Sequence, residues 1–416
     1  MAKYEFSEVL VVDDDKEKSE IIKSIVEEKD QENAFYILDV GWVVRKHCDW
    51  INKMPRVVPY FAIKCNPDAT VIKTLAALDG CFDCASQREI EQVISAGVPG
   101  ERIIFANPAK LVSHIKYAKK CGVDKMTVDS VQEMEKIKSV FPSAKLLIRI
   151  RNDGYCDKQS MTSLGEKFGC DPKAEAADLV KSMREMGLTL HGFSFHAGSP
   201  CPDTKAFGDG IKICRGLIDF AKTMGFQDVR LIDVGGGFLG LTDQQLDEAA
   251  ASVNEALTEL DPAIGVISEP GRYYVEGAFT LAALLHSRKE IVEGTEVKQV
   301  YYVNDGCYGS FIEELLHLKA RVPTSLYEKE AQNAQKFIST IWGPTCDSHD
   351  CIVKDVLLPK FSIGDWMLWD RMGAYTISLA CPFNGMPVAD VYPFIRKSDM
   401  TFFKNALEKT RRNGHD

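Results

Sequence analysis

The chain reads as two folds in succession: a (β/α)₈ barrel, then a mostly antiparallel β domain that closes as a sandwich or barrel. Three observations predict this. Eight short apolar runs alternate with helical patterns between residues 36 and 274, and strand–helix alternation in one chain means parallel strands covered by helices. Eight repeats over that length suit a closed barrel, with a doubly wound open sheet as the alternative. After Tyr274, strand-like runs follow one another with turns and little helix, the texture of an antiparallel domain. Residues 1–35 read as a strand, Phe6 to Val12, and an acidic helical segment that contribute to the β domain; 36–274 form the barrel and 275–416 the β domain.

The eight runs are Tyr60–Lys64, Phe82–Ala85, Ile103–Ala106, Lys125–Asp129, Lys145–Ile150, Leu190–His196, Val229–Val234 and Gly265–Glu269. Ser86-x-x-Glu89 and Ser130-x-x-Glu133 have capping-box spacing just before helical patterns. Ile90, Val93 and Ile94 supply an apolar stripe at i, i+3, i+4, and Gly97 stops that helix. Val71, Ile72, Leu75 and Leu78 make another, ended by Gly80. Further helical stretches run near 109–120, 174–186, 206–224 and 243–260. The β domain is read from 279–285, 297–304, 336–342, 351–358, 366–369, 374–378 and 391–395, and the tail from Lys409 to Asp416 as a frayed end.

Composition narrows the function classes. A net charge of -10 lacks the basic footprint of a nucleic-acid binder. No apolar run approaches the roughly 20 residues that cross a bilayer, and the first residues carry no basic-then-apolar signal pattern. Thirteen cysteines without a signal peptide read as reduced thiols of a cytoplasmic protein. Cys81-x-x-Cys84 has no second pair at zinc-site spacing, so it reads as buried thiols on a strand, and no metal is expected.

Function is sought at the carboxyl ends of the strands, which a barrel brings to one mouth. Pro59-Tyr60-Phe61-Ala62-Ile63-Lys64 ends an apolar run on a lysine. Such a lysine either snorkels into solvent or, desolvated, forms a Schiff base with an aldehyde cofactor or carbonyl substrate. Collecting the other strand-end residues favours chemistry: Asp83, Asn107, Asp129, Arg149, His196, Gly235-Gly236-Gly237 and Glu269-Pro270-Gly271-Arg272. Three glycines let backbone N–H groups approach a phosphate, though a tight turn also needs them. Arg272 can bind the same phosphate in bidentate fashion. Glu269 can keep a pyridine nitrogen protonated and the ring an electron sink; a surface pair with Arg272 is the alternative. His196 either stacks on a planar ring or is a core histidine. Cys346 and Asp347 read as proton donor and cation binder, or as turn residues.

With these residues collected, the chain resembles the pyridoxal-phosphate decarboxylases built from a barrel and a β domain (fold type III), the ornithine decarboxylases among them. The matching blocks include Tyr60–Asn66, Phe82–Ser86, Phe195–Ser199, Asp233–Phe238, Glu269–Tyr274, Tyr302–Gly306, Trp342–Asp347 and Met372–Thr376. The resemblance implies pyridoxal 5'-phosphate as cofactor, held covalently by Lys64 with His196 stacked on its ring. It assigns the phosphate to Ser199, Gly236, Gly237, Arg272 and Tyr375, the ring nitrogen to Glu269, and counts Gly235 and Gly271 with the cofactor-binding residues. Asp83 and Arg149 match positions near the cofactor, and Glu89 one that supports the lysine. Catalysis is expected from Lys64, Cys346, His196 and Glu269, and substrate binding from Asp347, Tyr308 and Phe383. A homodimer with shared active sites follows, Cys346 and Asp347 serving the partner's site. The long degradation-directing tail of animal members is expected to be absent.

One departure concerns the substrate. The ornithine enzymes carry an aspartate a few residues after Tyr-Gly-Ser-Phe, and here a gapless count from Tyr308–Phe311 puts His317 there. An imidazole is a poor partner for an ammonium, and Glu313 or Glu314 is the local replacement. The expected reaction is decarboxylation of L-ornithine to putrescine, the first step of polyamine synthesis. Arginine, lysine or diaminopimelate is the alternative substrate. The other alternative is a silent regulator of the antizyme-inhibitor kind, and an antizyme-like protein is a possible partner.

Overall fold

A computed structural model of the chain describes residues 8–152, 167–327 and 335–413. They fall into two units, one holding the barrel, Val43–Tyr274, and a sheet unit made of residues 8–42 with Val275–Glu408. Strands β1 (Leu10–Val12) and β2 (Phe35–Asp39) come first and belong to the sheet unit. All five residues of β2 are buried, and it pairs with strands from the far end of the chain. The first residues of the segment expected to begin the barrel therefore lie in the sheet.

The barrel is closed and parallel. Its strands are β3 (Val57–Ala62), β4 (Cys81–Cys84), β5 (Ile103–Phe105), β6 (Lys125–Val128), β7 (Lys145–Arg149), β8 (Thr189–Ser194), β9 (Leu231–Asp233) and β10 (Gly265–Ser268), and β10 pairs back onto β3. Every one of the eight apolar runs became a strand, so closure replaces the doubly wound alternative. Tyr60, Cys81, Ile104, Leu147, Leu231 and Ile267 pack together as one buried cluster. On the covering helices, Trp50 is fully buried, donates to Val57 O at 2.9 Å and meets Phe238 and Tyr273 edge-on. Both cysteines of Cys81-x-x-Cys84 are buried on β4 and free.

The helix caps are half of what their spacing suggests. Ser86 and Ser130 accept the N–H groups of Glu89 and Glu133, as N-caps do. Neither glutamate returns the bond. Glu89 takes the N–H of Ala85 at 2.5 Å. Glu133 instead meets Lys110, whose side chain is wholly buried, at 3.1 Å. The Lys110 ammonium also donates to the carbonyls of Asn107 (2.9 Å) and Thr127 (2.7 Å), tying the loop after β5 to β6.

The sheet unit continues with β11 (Phe279–Glu293), β12 (Glu296–Val303), β13 (Thr324–Ser325), β14 (Lys336–Trp342), β15 (Cys351–Pro359), β16 (Trp366–Trp369) and β17 (Asp390–Arg396). The order is β1-β17-β2-β11-β12-β14-β15, with β16 also on β11 and β13 on β16. Where hairpins join neighbours, as in β11–β12 and β14–β15, pairing is antiparallel. It is parallel at β1–β17, β17–β2 and β12–β14, so the sheet is mixed. The helix Lys18–Lys29 covers this sheet, seating Ile21, Ile22 and Ile25 on Phe35, Trp366 and Phe394.

Two readings of the C-terminal segment change. Ala374–Ser378 is not a strand: Tyr375 has a left-handed backbone (φ 55°) and a 3₁₀ turn, Ile377–Leu379, follows. The expected frayed end is a helix, Lys397–Asn413, and the final residues 414–416 lie outside the described ones. So do residues 1–7, including the start of the expected first strand.

The Lys110–Glu133 pair yields a stability prediction. Glu133→Ala leaves a buried ammonium without its carboxylate and should cost about 3 to 5 kcal/mol. In urea unfolding K110M/E133L, which removes both charges, should recover part of that loss. An E133A midpoint equal to that of the parent would mean the pair contributes nothing.

Candidate active site

The mouth of the barrel collects the residues that follow its strands. Lys64 lies in a single 3₁₀ turn, Ile63–Cys65, just past β3 rather than on the strand itself. Its side chain is 38 % exposed and its ammonium pairs with the buried carboxylate of Asp83, at the end of β4, at 2.6 Å. This lysine is neither sealed in apolar surroundings nor free in water; it is aimed by a buried acid. Glu89 stands behind the pair. Burial raises its carboxyl above the usual range and Asp83 adds to this, while Lys64 acts the other way.

His196 follows β8. Its Nδ1 accepts the N–H of Gly198 at 3.2 Å, which requires that nitrogen to be unprotonated. Burial pushes its pKa well below the ordinary value, and the charges of Arg149 and Lys64 push the same way. The ring is therefore neutral, the form suited to stacking on a cationic ring.

The glycine run after β9 is held by close backbone approach. A Cβ on Gly235 would stand 2.3 Å from Phe195 O, and one on Gly237 2.1 Å from Gly198 O. Both residues also have positive φ, 65° and 108°, where side chains are strained. Among the described residues no backbone carbonyl takes up the N–H of Gly236 or of Gly237. Gly271 is equally tight, with Cys65 Cβ 2.7 Å from where its own would be, so the Arg272 loop packs on the Lys64 turn. Arg272 is 4 % exposed, and Ser199 sits exposed on the loop after β8.

Glu269, after β10, is a buried acid of the mouth. Burial raises its carboxyl well above the usual range, and the neighbouring Asp233 and Asp83 raise it further. Asp233 is raised to about 6, again chiefly by burial. Oδ1 of Asp83 and Oδ2 of Asp233 are buried without a donor among the described residues. Asn107 and Asp129, also collected at strand ends, hold loops instead: Asn107 donates to Ala85 O, and Asp129 accepts from Gly169 N.

These features match the cofactor's three demands. An amine stands beside an acid that can take its proton, glycine N–H groups near a buried arginine suit a phosphate, and an excess of buried carboxyls calls for a cationic ring nitrogen. The residues present fit pyridoxal phosphate.

The sheet unit carries the remaining expected residues. Cys346 is exposed on the loop after β14, its N–H held by Asn384 Oδ1 at 2.9 Å. Asp347 accepts the Tyr308 hydroxyl on one oxygen and His349 Nδ1, at 3.1 Å, on the other. Those bonds, Tyr308 first, draw its carboxyl down to about 2. The rings of Tyr308 and Phe383 lie 4.6 Å apart. Beneath them Asp350, 1 % exposed, takes the N–H of Cys307 at 2.7 Å and both the N–H and hydroxyl of Thr345. A Cβ on either Gly306 or Gly343 would stand 2.3 Å from its carboxylate. Asp350, Asn384 and His349 were not singled out from the sequence; Gly306 and Gly343, inside motif blocks, were the available signal for Asp350.

One substrate expectation fails here. Glu313 and Glu314 are 8 % and 4 % exposed, and cations from their own segment already hold both. Arg321 Nη1 donates to both oxygens of Glu314 at 2.8 Å and its Nη2 to Glu313, and Lys319 adds 3.1 Å to Glu313. Two cations already neutralise this acid pair. His317 is exposed, with a left-handed backbone of φ 56°. Tyr375, expected at the phosphate, belongs to the sheet unit.

Comparisons with known proteins agree with this geometry. Residues 40–276 match the model of the pyridoxal-dependent decarboxylase pyridoxal-binding domain. Ornithine decarboxylase of Mus musculus is 41% identical over 382 residues, 88% of this chain and 82% of that protein. Antizyme inhibitor 2 of Xenopus laevis is 40% identical over 386 residues, 90% of this chain and 83% of the other. Among solved structures, the arginine decarboxylase of Paramecium bursaria Chlorella virus bound to agmatine superimposes with a TM-score of 0.84 at 31% identity. That match covers 90% of this chain and all of the viral one. A barrel mouth fitted to pyridoxal phosphate, in a chain with these relatives, belongs to a member of the pyridoxal-dependent decarboxylase family.

Proposed function

We propose that the protein decarboxylates L-ornithine to putrescine and carbon dioxide, the first step of polyamine synthesis. The observation that carries the reading is the joint placement of Lys64, Asp83 and Glu269 at one barrel mouth, in a chain so similar to enzymes named for that reaction.

Bound pyridoxal phosphate supplies an electron sink that accepts the bonding pair released when the substrate's Cα–carboxylate bond breaks. Lys64 would hold the cofactor through its aldehyde, and Asp83 positions the lysine and can take its proton. Glu269 keeps the ring nitrogen protonated. His196, neutral, covers the ring without adding charge, and Arg149 holds it in that form. Ser199, Gly235, Gly236, Gly237, Gly271 and Arg272 bind the phosphate, with Tyr375 as a further ligand. Cys346 gives its thiol proton to Cα, which completes the amine product. Asp347, held ionised by Tyr308 and His349, attracts the distal ammonium, and Phe383 lines the pocket.

Arginine, lysine or diaminopimelate is the second reading, favoured by His317 and by the sequestration of Glu313 and Glu314. A silent regulator like the antizyme inhibitor is opposed by the presence of Lys64, Glu269, Arg272 and Cys346 together. We further propose a homodimer with shared active sites, an antizyme-like regulatory partner, and a cytoplasmic location that suits the thirteen cysteines.

Carbon dioxide release from the purified protein with pyridoxal phosphate, measured over ornithine, lysine, arginine and diaminopimelate, tests the substrate. We expect kcat/KM for ornithine to exceed the others by about tenfold or more, which is about 1.4 kcal/mol of discrimination. A preference for another of the four would replace the ornithine reading while keeping the chemistry.

Mixing Lys64→Ala with Cys346→Ala chains tests the shared sites. Random mixed dimers should regain about a quarter of the parent activity, since half the dimers would hold one intact site of two. Inert mixtures in which mixed dimers are verified would rule sharing out.

A further inference from the structure

Two buried carboxyl groups at the mouth face each other. Asp233 ends β9 and Glu269 follows the neighbouring β10, with Ile267 in register with Asp233. They are 1 % and 7 % exposed. Asp233 Oδ1 accepts the Gly235 N–H at 2.9 Å, and the Glu269 N–H in turn donates to Gly235 O at 2.7 Å. The Ser268 hydroxyl donates to that same carbonyl at 2.8 Å. Asp233 Oδ2 is buried with no donor among the described residues, and the Glu269 carboxyl lies within hydrogen-bonding reach of the Asp233 carboxyl. Ionised carboxylates only accept, so the two can bond only if one carries a proton, and like charges so close do not both ionise readily.

We infer that Asp233 and Glu269 hold one proton between them in the cofactor-free protein, and that Asp233 is a positioning residue setting when Glu269 can accept the ring N–H. The inference rests on the reading that Glu269 faces the ring nitrogen. Asp233 does this from outside the direct contacts. One oxygen braces the turn into the glycine run, and the same carboxyl group perturbs Glu269, so the phosphate loop and the ring-nitrogen acid both depend on one side chain.

The groups around the pair set the direction of its titration. Burial favours the protonated form of both acids, and Asp83 on β4 adds to it. Arg149 on β7 opposes this at Asp233 and Lys64 opposes it at Glu269. Tyr60 on β3 and Cys214 on the helix Lys205–Thr223 are pushed up by burial and stay neutral, as does His196. The shared proton lowers the negative charge that faces the ring N–H. Cofactor affinity therefore falls as pH drops through the pair's titration and rises as the proton leaves.

Fluorescence titration of the cofactor-free protein with pyridoxal phosphate from about pH 6 to about pH 9 tests this, comparing the parent with D233N and E269Q. The cofactor's own titration is common to all three and cancels in the comparison. D233N keeps an oxygen for the Gly235 N–H but removes the like charge, so its affinity inflection should move down by about one pH unit. Identical inflections in D233N and the parent would overturn the inference. A parent-like profile in E269Q would instead overturn the ring-nitrogen reading beneath it. Should D233N not fold, infrared difference spectra of the parent decide. A protonated-carboxyl band present in the free protein and lost on cofactor addition supports the shared proton, and its absence at neutral pH overturns it.

Discussion

Burying several carboxyl groups at the mouth of a closed parallel barrel is the constraint on which the site depends. Closure puts the ends of β4, β9 and β10 at one place, so Asp83, Asp233 and Glu269 share a poorly hydrated space. Each ionised acid there needs a counter-charge or a donor. Asp83 finds Lys64, Asp233 finds the Gly235 N–H, and Glu269 is left to hold a proton. A cationic ring nitrogen relieves that frustration, which is why the arrangement reads as a cofactor site and not as structural acid clustering.

The sheet unit manages its acids in the opposite way. Arg321 and Lys319 neutralise Glu313 and Glu314 within ten residues of chain, leaving that segment no spare negative charge for a ligand. Asp347 keeps its charge because its partners are a hydroxyl and an imidazole, which polarise it without an obligate cation. Asp350, buried below, ties the loop carrying Tyr308 to the loop carrying Cys346. Of these four acids Asp350 is structural, Glu313 and Glu314 are neutralised by neighbouring cations, and Asp347 is held ionised.

The fold was legible where period and chemistry agreed. The eight barrel strands are short, apolar and separated by helices, several of them N-capped by side chains, so the alternation showed through the sequence. Motif residues at strand ends were equally visible, because a barrel gives a strand end a known destination. Other features depend on contacts far apart in sequence. The pairing of β2 with β11 and β17 cannot be read from Phe35–Asp39 alone, and neither can the left-handed turn at Tyr375. Glu133 looked like half of a capping box until Lys110, brought in by the barrel, claimed its carboxylate. Glu313 and Glu314 looked available because the sequence does not say that Arg321 folds back on them. Asp233 lay inside a recognised block yet drew no notice, since its meaning comes from Glu269 on the neighbouring strand.

The central claim is that the barrel mouth holds pyridoxal phosphate on Lys64, and borohydride reduction tests it most directly. Reduction of the loaded protein followed by peptide mass mapping should find the phosphopyridoxyl group on the peptide containing Lys64, and nowhere in Lys64→Ala. A label on a different lysine, or none on a protein that has bound the cofactor, would contradict the account.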